Sequence, residues 1–67
     1  MIRVKVNGEE RSIPPGTTLA ALVESLSLTA GRLACEVNLE IVKRADYGKT
    51  ELKPGDAVEI VQMIGGG

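Results

Sequence analysis

The dipeptide Asn7-Gly8 stands directly behind a run in which Ile2, Val4 and Val6 alternate with Arg3 and Lys5. A period of two is that of a half-buried strand. Asn-Gly suits the two positive φ angles of a type I′ turn, so the chain is expected to reverse at once and residues 9–13 to return antiparallel. In that register Ile13 points inward opposite Ile2. Arg11 then lies opposite Val4 and Glu9 opposite Val6, which a fully buried face does not tolerate, so that end of the hairpin should be open to water. An amphipathic hairpin needs a cover. In a chain of 67 residues, which buries only about 60% of its unfolded surface, there is room for one small core and none for a large internal active site.

The cover is legible further on. Pro14-Pro15-Gly16 stops the second strand, because proline supplies no ladder donor and glycine frees the turn. Thr17 or Thr18 then caps a helix whose Leu19, Leu22, Val23 and Leu26 fall at i, i+3, i+4 and i+7, one apolar stripe to lay on a sheet. Thr29-Ala30-Gly31-Arg32 reads as a connector. Leu33, Cys35 and Val37 alternate along a third strand, which puts Cys35 in the core, where free cysteine is most often found. Ile41-Val42 suggests a brief strand, and residues 43–51 read as loop with Tyr47, the sole aromatic residue, as a packing anchor. Leu52-Lys53-Pro54-Gly55-Asp56 is a turn into a last alternating strand, Ala57-Val58-Glu59-Ile60-Val61-Gln62-Met63-Ile64. The order implies an α+β domain over residues 1–64, a mixed sheet with one main helix packed on one face, followed by a flexible glycine tail, residues 65–67.

Composition removes several classes of function. Hydrophobic residues make up 43%, charged residues 25%, and the net charge is −1, the balance of an ordinary soluble domain. Eight basic residues are scattered among nine acidic ones, so there is no stripe to neutralise phosphates and nucleic acid is a poor partner. No apolar run approaches the roughly 20 residues that span a bilayer, and the first residues alternate instead of forming a signal-peptide core. No membrane association and a cytoplasmic location are expected. One cysteine cannot form an internal disulfide, which agrees with a reducing compartment. The absence of histidine removes the commonest metal ligand and the commonest general base at neutral pH. No metal site is expected, and with no histidine to activate Cys35 a self-contained enzyme is disfavoured.

The chemistry concentrates in Gly65-Gly66-Gly67. A frayed end is the ordinary meaning of a terminus, but glycines without Cβ can enter a slot too narrow for any side chain, and a carboxylate on such a tail is unusually accessible.

Taken together, the opening strand into Asn7-Gly8, the helix entry Gly16-Thr17-Thr18-Leu19, the central Asn38-Leu39-Glu40-Ile41-Val42-Lys43-Arg44 with Tyr47, the turn Pro54-Gly55-Asp56 and the ending Ile64-Gly65-Gly66-Gly67 resemble the ubiquitin-like sulfur carriers of the ThiS family over the whole chain. The resemblance implies a ubiquitin-like β-grasp fold. It implies that a ubiquitin-activating-type adenylating enzyme spends ATP to turn the Gly67 carboxylate into an acyl adenylate, with no cofactor bound by the carrier itself. A sulfur donor such as a cysteine desulfurase then supplies the sulfur of a thiocarboxylate, which is passed to thiazole synthase for the thiazole ring of thiamine. Gly65 and Gly66 would thread into the partner.

Docking would use the sheet face away from the helix. If Val58 and Ile60 point inward, strand parity puts Val61 and Met63 outward beside Ile64 and the tail. Arg3 and Lys5, outward on the first strand, could add charge complementarity, although a solvated face is their commoner meaning. Two other readings stay open: a carrier of the same type serving molybdopterin or cysteine and methionine synthesis, and a β-grasp module that only binds a protein.

Overall fold

The computed structural model describes residues 1–28 and 32–62. Strands β1 (Ile2–Val6) and β2 (Glu9–Ile13) form the expected hairpin, with Asn7 and Gly8 at φ 51° and 85°. Its register pairs Ile2 with Ile13, Val4 with Arg11 and Val6 with Glu9. The water-open end is a property of β2 alone: Arg11 and Glu9 are exposed, while Val4 and Val6 across from them are buried. The edge strand overhangs the core, and its neighbour does not.

Helix α1 (Leu19–Ser25) starts where Thr18 caps it, the hydroxyl accepting from the Ala21 N–H at 3.1 Å, an orphan donor that would otherwise go unpaired. Leu19, Leu22 and Val23 are buried and Leu26 is half-buried against the same cluster. Strands β3 (Leu33–Val37), β4 (Glu40–Val42) and β5 (Ala57–Gln62) complete one five-stranded sheet in the order β2-β1-β5-β3-β4. β5 lies in the middle, parallel to β1 and antiparallel to β3. The core is a single cluster in which Leu19, Leu22 and Val23 meet Val4, Val6, Ile13, Leu33, Cys35, Val58 and Ile60. The α+β architecture with one main helix against one face of a mixed sheet is as the sequence implies.

Residues 43–51 depart from the sequence reading. They hold a 3₁₀ helix, Arg44–Lys49, that carries Tyr47 into the core. With one large apolar side chain in six residues there is no stripe to read. The segment is held from outside, by Tyr47 packing and by Thr50 Oγ1 donating to the Asp46 carbonyl at 2.8 Å. Leu52, read as part of a turn, is buried too. Leu19 N–H donates to the Thr50 carbonyl at 2.8 Å and Leu52 N–H to the Thr17 carbonyl at 2.9 Å, so this segment straps the start of α1 to the domain.

The β3–β4 hairpin repeats the geometry of the first. Val37 pairs with Glu40 across Asn38 and Leu39, at φ 52° and 70°. Asn38 is a residue that tolerates this region; a leucine there costs roughly 1–2 kcal/mol. Its strain is held in place by Asn38, whose N–H donates to the Ala57 carbonyl at 2.8 Å, whose Oδ1 accepts from the Ala57 N–H at 2.9 Å, and whose Nδ2 donates to Asp56 Oδ1 at 3.0 Å. Among the described residues no helix is long and apolar enough to cross a membrane.

Candidate functional site

β5 delivers the chain toward its last residues, and its placement defines the candidate site. The side chain of Asn7 extends the β1 edge of the ladder beyond Val6↔Val58: Oδ1 accepts from the Ile60 N–H at 2.7 Å and Nδ2 donates to the Ile60 carbonyl at 3.1 Å. On the other side β3 pairs with β5 as far as Leu33↔Gln62. β5 is therefore held from both flanks as far as Ile60, and by β3 alone at Val61 and Gln62. Met63, Ile64, Gly65, Gly66 and Gly67 lie outside the described residues.

Val58 and Ile60 are buried, and Val61 is 58% exposed on the face away from α1. Parity along the neighbouring strands adds residues that the sequence alone did not bring together. Ala34 lies directly across from Val61, and Ile41, Glu36 and Glu59 form the adjacent row over β4, β3 and β5. Ile41 is 78% exposed. Ala34, Cys35, Glu36, Ile41, Glu59 and Val61 together line one shallow depression. The alternation of β3 already turned Ala34 and Glu36 outward; what no sequence pattern carried was the β3–β5 and β3–β4 register.

Arg3 and Lys5 share this outward face on β1, where Lys5 lies across from Ala57 of β5. Arg3 is engaged in an ion pair with Glu10, Nη1 to Oε1 at 2.8 Å, and Lys5 lies across from the same glutamate. The charges in the row next to Val61, Glu36 and Glu59, are acidic.

Cys35 is a free thiol, 1% exposed. Beside it, Tyr47 is pushed up to about 12, chiefly by burial and then by its hydrogen bond with Cys35, with Arg44 pulling the other way. The pair is a core contact, closed to substrate.

This sheet order with a single covering helix is the ubiquitin-like β-grasp. The crystal structure of the thiamine biosynthesis protein (ThiS) from Geobacter metallireducens superposes with a TM-score of 0.84 at 29% identity, covering 98% of this chain and 100% of that one. A solution structure of a thiamine biosynthesis protein from the same organism gives 0.81, also at 29% identity, covering 98% of this chain and 88% of that one. The ThiS family model matches residues 4–67. This chain belongs to the ThiS family. Thiazole synthase of Paramagnetospirillum magneticum is 39% identical and that of Magnetococcus marinus 36% identical over 66 residues, 98% of this chain. The chain spans about a fifth, 20%, of the length of each of those two proteins.

Proposed function

We propose that this chain is a sulfur carrier of thiamine biosynthesis, loaded on its Gly67 carboxylate and unloaded at the thiazole ring. The observation that carries the reading is the match of the ThiS family model across residues 4–67, the three closing glycines included. In the loading step the Gly67 carboxylate attacks the α-phosphorus of ATP on an adenylating partner and pyrophosphate leaves. Hydrosulfide then adds to the acyl adenylate and AMP departs, which leaves a thiocarboxylate; a persulfide donor would require a thiol in addition, to release the sulfur from its disulfide. Both steps are dominated by positioning, and Gly65 and Gly66 suit a tail that must reach a partner's reacting atoms through a narrow channel. The carrier contributes an acyl group and a docking surface, Val61 with Met63 and Ile64, and ATP is bound by the partner.

Thiazole synthase is the recipient we favour. Two proteins of that name include a segment similar to this chain, and joining two partners in one polypeptide raises their effective concentration for each other. The cytoplasm, reducing and supplied with ATP, suits both the unpaired Cys35 and a thiocarboxylate.

The test is intact mass after incubation with ATP, a sulfur donor and a ubiquitin-activating-type enzyme from the same organism. The expected result is a gain equal to exchanging one oxygen for one sulfur, localised to Gly67. No change, with an enzyme active on its own partner, would leave this chain a binding module.

A further inference from the structure

The outward face of β3, β4 and β5 combines an apolar floor with an unusual charge arrangement. Val61, Ala34 and Ile41 supply the floor. Glu36 and Glu59 are direct cross-strand partners, which puts two like charges at the spacing of neighbouring Cβ atoms, about 4.5–5.5 Å, where they oppose sheet formation. Among the described residues neither enters a salt bridge; the ion pairs present join Arg3 to Glu10 and Lys53 to Glu51. On the far side of β5 the β1 ladder ends at Val6, and the next residue is the uncharged Asn7. Lys5, across from Ala57, is the basic residue diagonal to Glu59 on β1, and among the described residues it makes no salt bridge to either carboxylate, so the two face each other without an ion-pair partner.

We propose that this face receives the adenylating partner, which sets an arginine between Glu36 and Glu59 and seats apolar side chains on Ala34, Ile41 and Val61. The proposal rests on the carrier reading above and names the charge of the partner at that same surface. A guanidinium fits because its planar fork can give hydrogen bonds to two carboxylates at once. A second copy of this chain fits poorly: a two-fold interface places the same patch on both sides, so four carboxylates would face one another. Because Glu59 lies on β5 itself, two residues before Val61, an arginine bound there would also orient the strand that leads to the tail.

The experiment uses the whole chain with Glu36→Gln, Glu59→Gln, the double variant and Ile41→Ser. Thiocarboxylate formation is followed by intact mass against carrier concentration, at low and high salt, with the same adenylating enzyme. The double variant is expected to need at least about tenfold more carrier for half-maximal rate, to keep its maximal rate, and to lose most of its salt dependence. Freed of the repulsion, it should melt roughly 1–5 °C above the unsubstituted chain, which separates weakened docking from misfolding. Ile41→Ser should weaken half-saturation without altering the salt dependence. Unchanged half-saturation and salt dependence in the double variant overturn the proposal, as does a loss confined to thiazole synthase binding. If the unsubstituted chain gains no sulfur, the carrier reading itself fails and this proposal falls with it.

Discussion

Asn7 and Ile60, 53 residues apart in sequence, are joined by two hydrogen bonds in which one side-chain amide stands in for a strand, accepting from the Ile60 N–H at 2.7 Å and donating to its carbonyl at 3.1 Å. Asn7 thus does two jobs: its backbone makes the turn and its side chain holds the central strand. Asn7→Gly separates them, since glycine adopts φ 51° freely but carries no amide. Losing two bonds, each worth roughly 0.5–1.5 kcal/mol net, should cost about 1–3 kcal/mol in urea unfolding with the turn intact. An unchanged midpoint would mean that these bonds contribute nothing.

Leu39 pays for a left-handed backbone with no packing in return, being 86% exposed at φ 70°. Leu39→Gly should raise stability by about 1 kcal/mol, read as a higher urea midpoint at constant slope. A loss of stability would show that the exposed leucine makes a contact that outweighs its strain.

Tyr47 gives the fold an alkaline limit. Its hydroxyl is pushed up to about 12 from about 10 in the unfolded chain. Between those values the folded state binds the extra proton, so stability is fully present below pH 10 and falls as pH rises from 10 toward 12, by at most about 3 kcal/mol. Tyr47→Phe should flatten this fall relative to the unsubstituted chain. Parallel pH profiles for the two would exclude Tyr47 as the titrating group.

Cys35→Ser should leave sulfur loading intact, because the thiol is a core packing group at 1% exposure. The hydroxyl it introduces needs a buried partner, and the expected penalty is about 1–3 kcal/mol of stability. Abolished loading in a variant that still melts cooperatively would instead make Cys35 part of the chemistry.

Val61→Asp and deletion of Gly67 separate docking from chemistry. Deletion should abolish thiocarboxylate formation at any carrier concentration. Val61→Asp adds a third carboxylate beside Glu36 and Glu59 and should lower the melting temperature slightly; assayed where it is folded, it should weaken half-saturation by about tenfold or more and leave the maximal rate alone. Equal losses from both would remove the distinction between surface and tail.

The hairpin, the helix and the alternation of β3 and β5 were legible in the sequence because each rests on a local signal: Asn7-Gly8, the Leu19, Leu22, Val23 and Leu26 stripe, and strand parity. The turn at Asn38 and Leu39 escaped, since leucine is a poor turn former and its conformation is imposed by the contacts of Asn38 with Asp56 and Ala57. The 3₁₀ helix around Tyr47 escaped for the same reason, one anchor residue being too little to set a period. At the candidate site Val61 followed from parity alone. Glu36, Glu59 and Ile41 needed the register of strands far apart in sequence, which no short-range pattern encodes.

The place of β5 bears on how the molecule is made. β2-β1 and β3-β4 do not touch as strands; β5, the last to be synthesised, is what joins them into one sheet. A nascent chain lacking it holds two separate hairpins with half-covered apolar faces, and its closure waits on contacts of long sequence separation. Until the ribosome has added that strand the sheet stays open, and, on the carrier function proposed above, an interrupted translation product would lack both the tail to be loaded and the surface on which loading takes place.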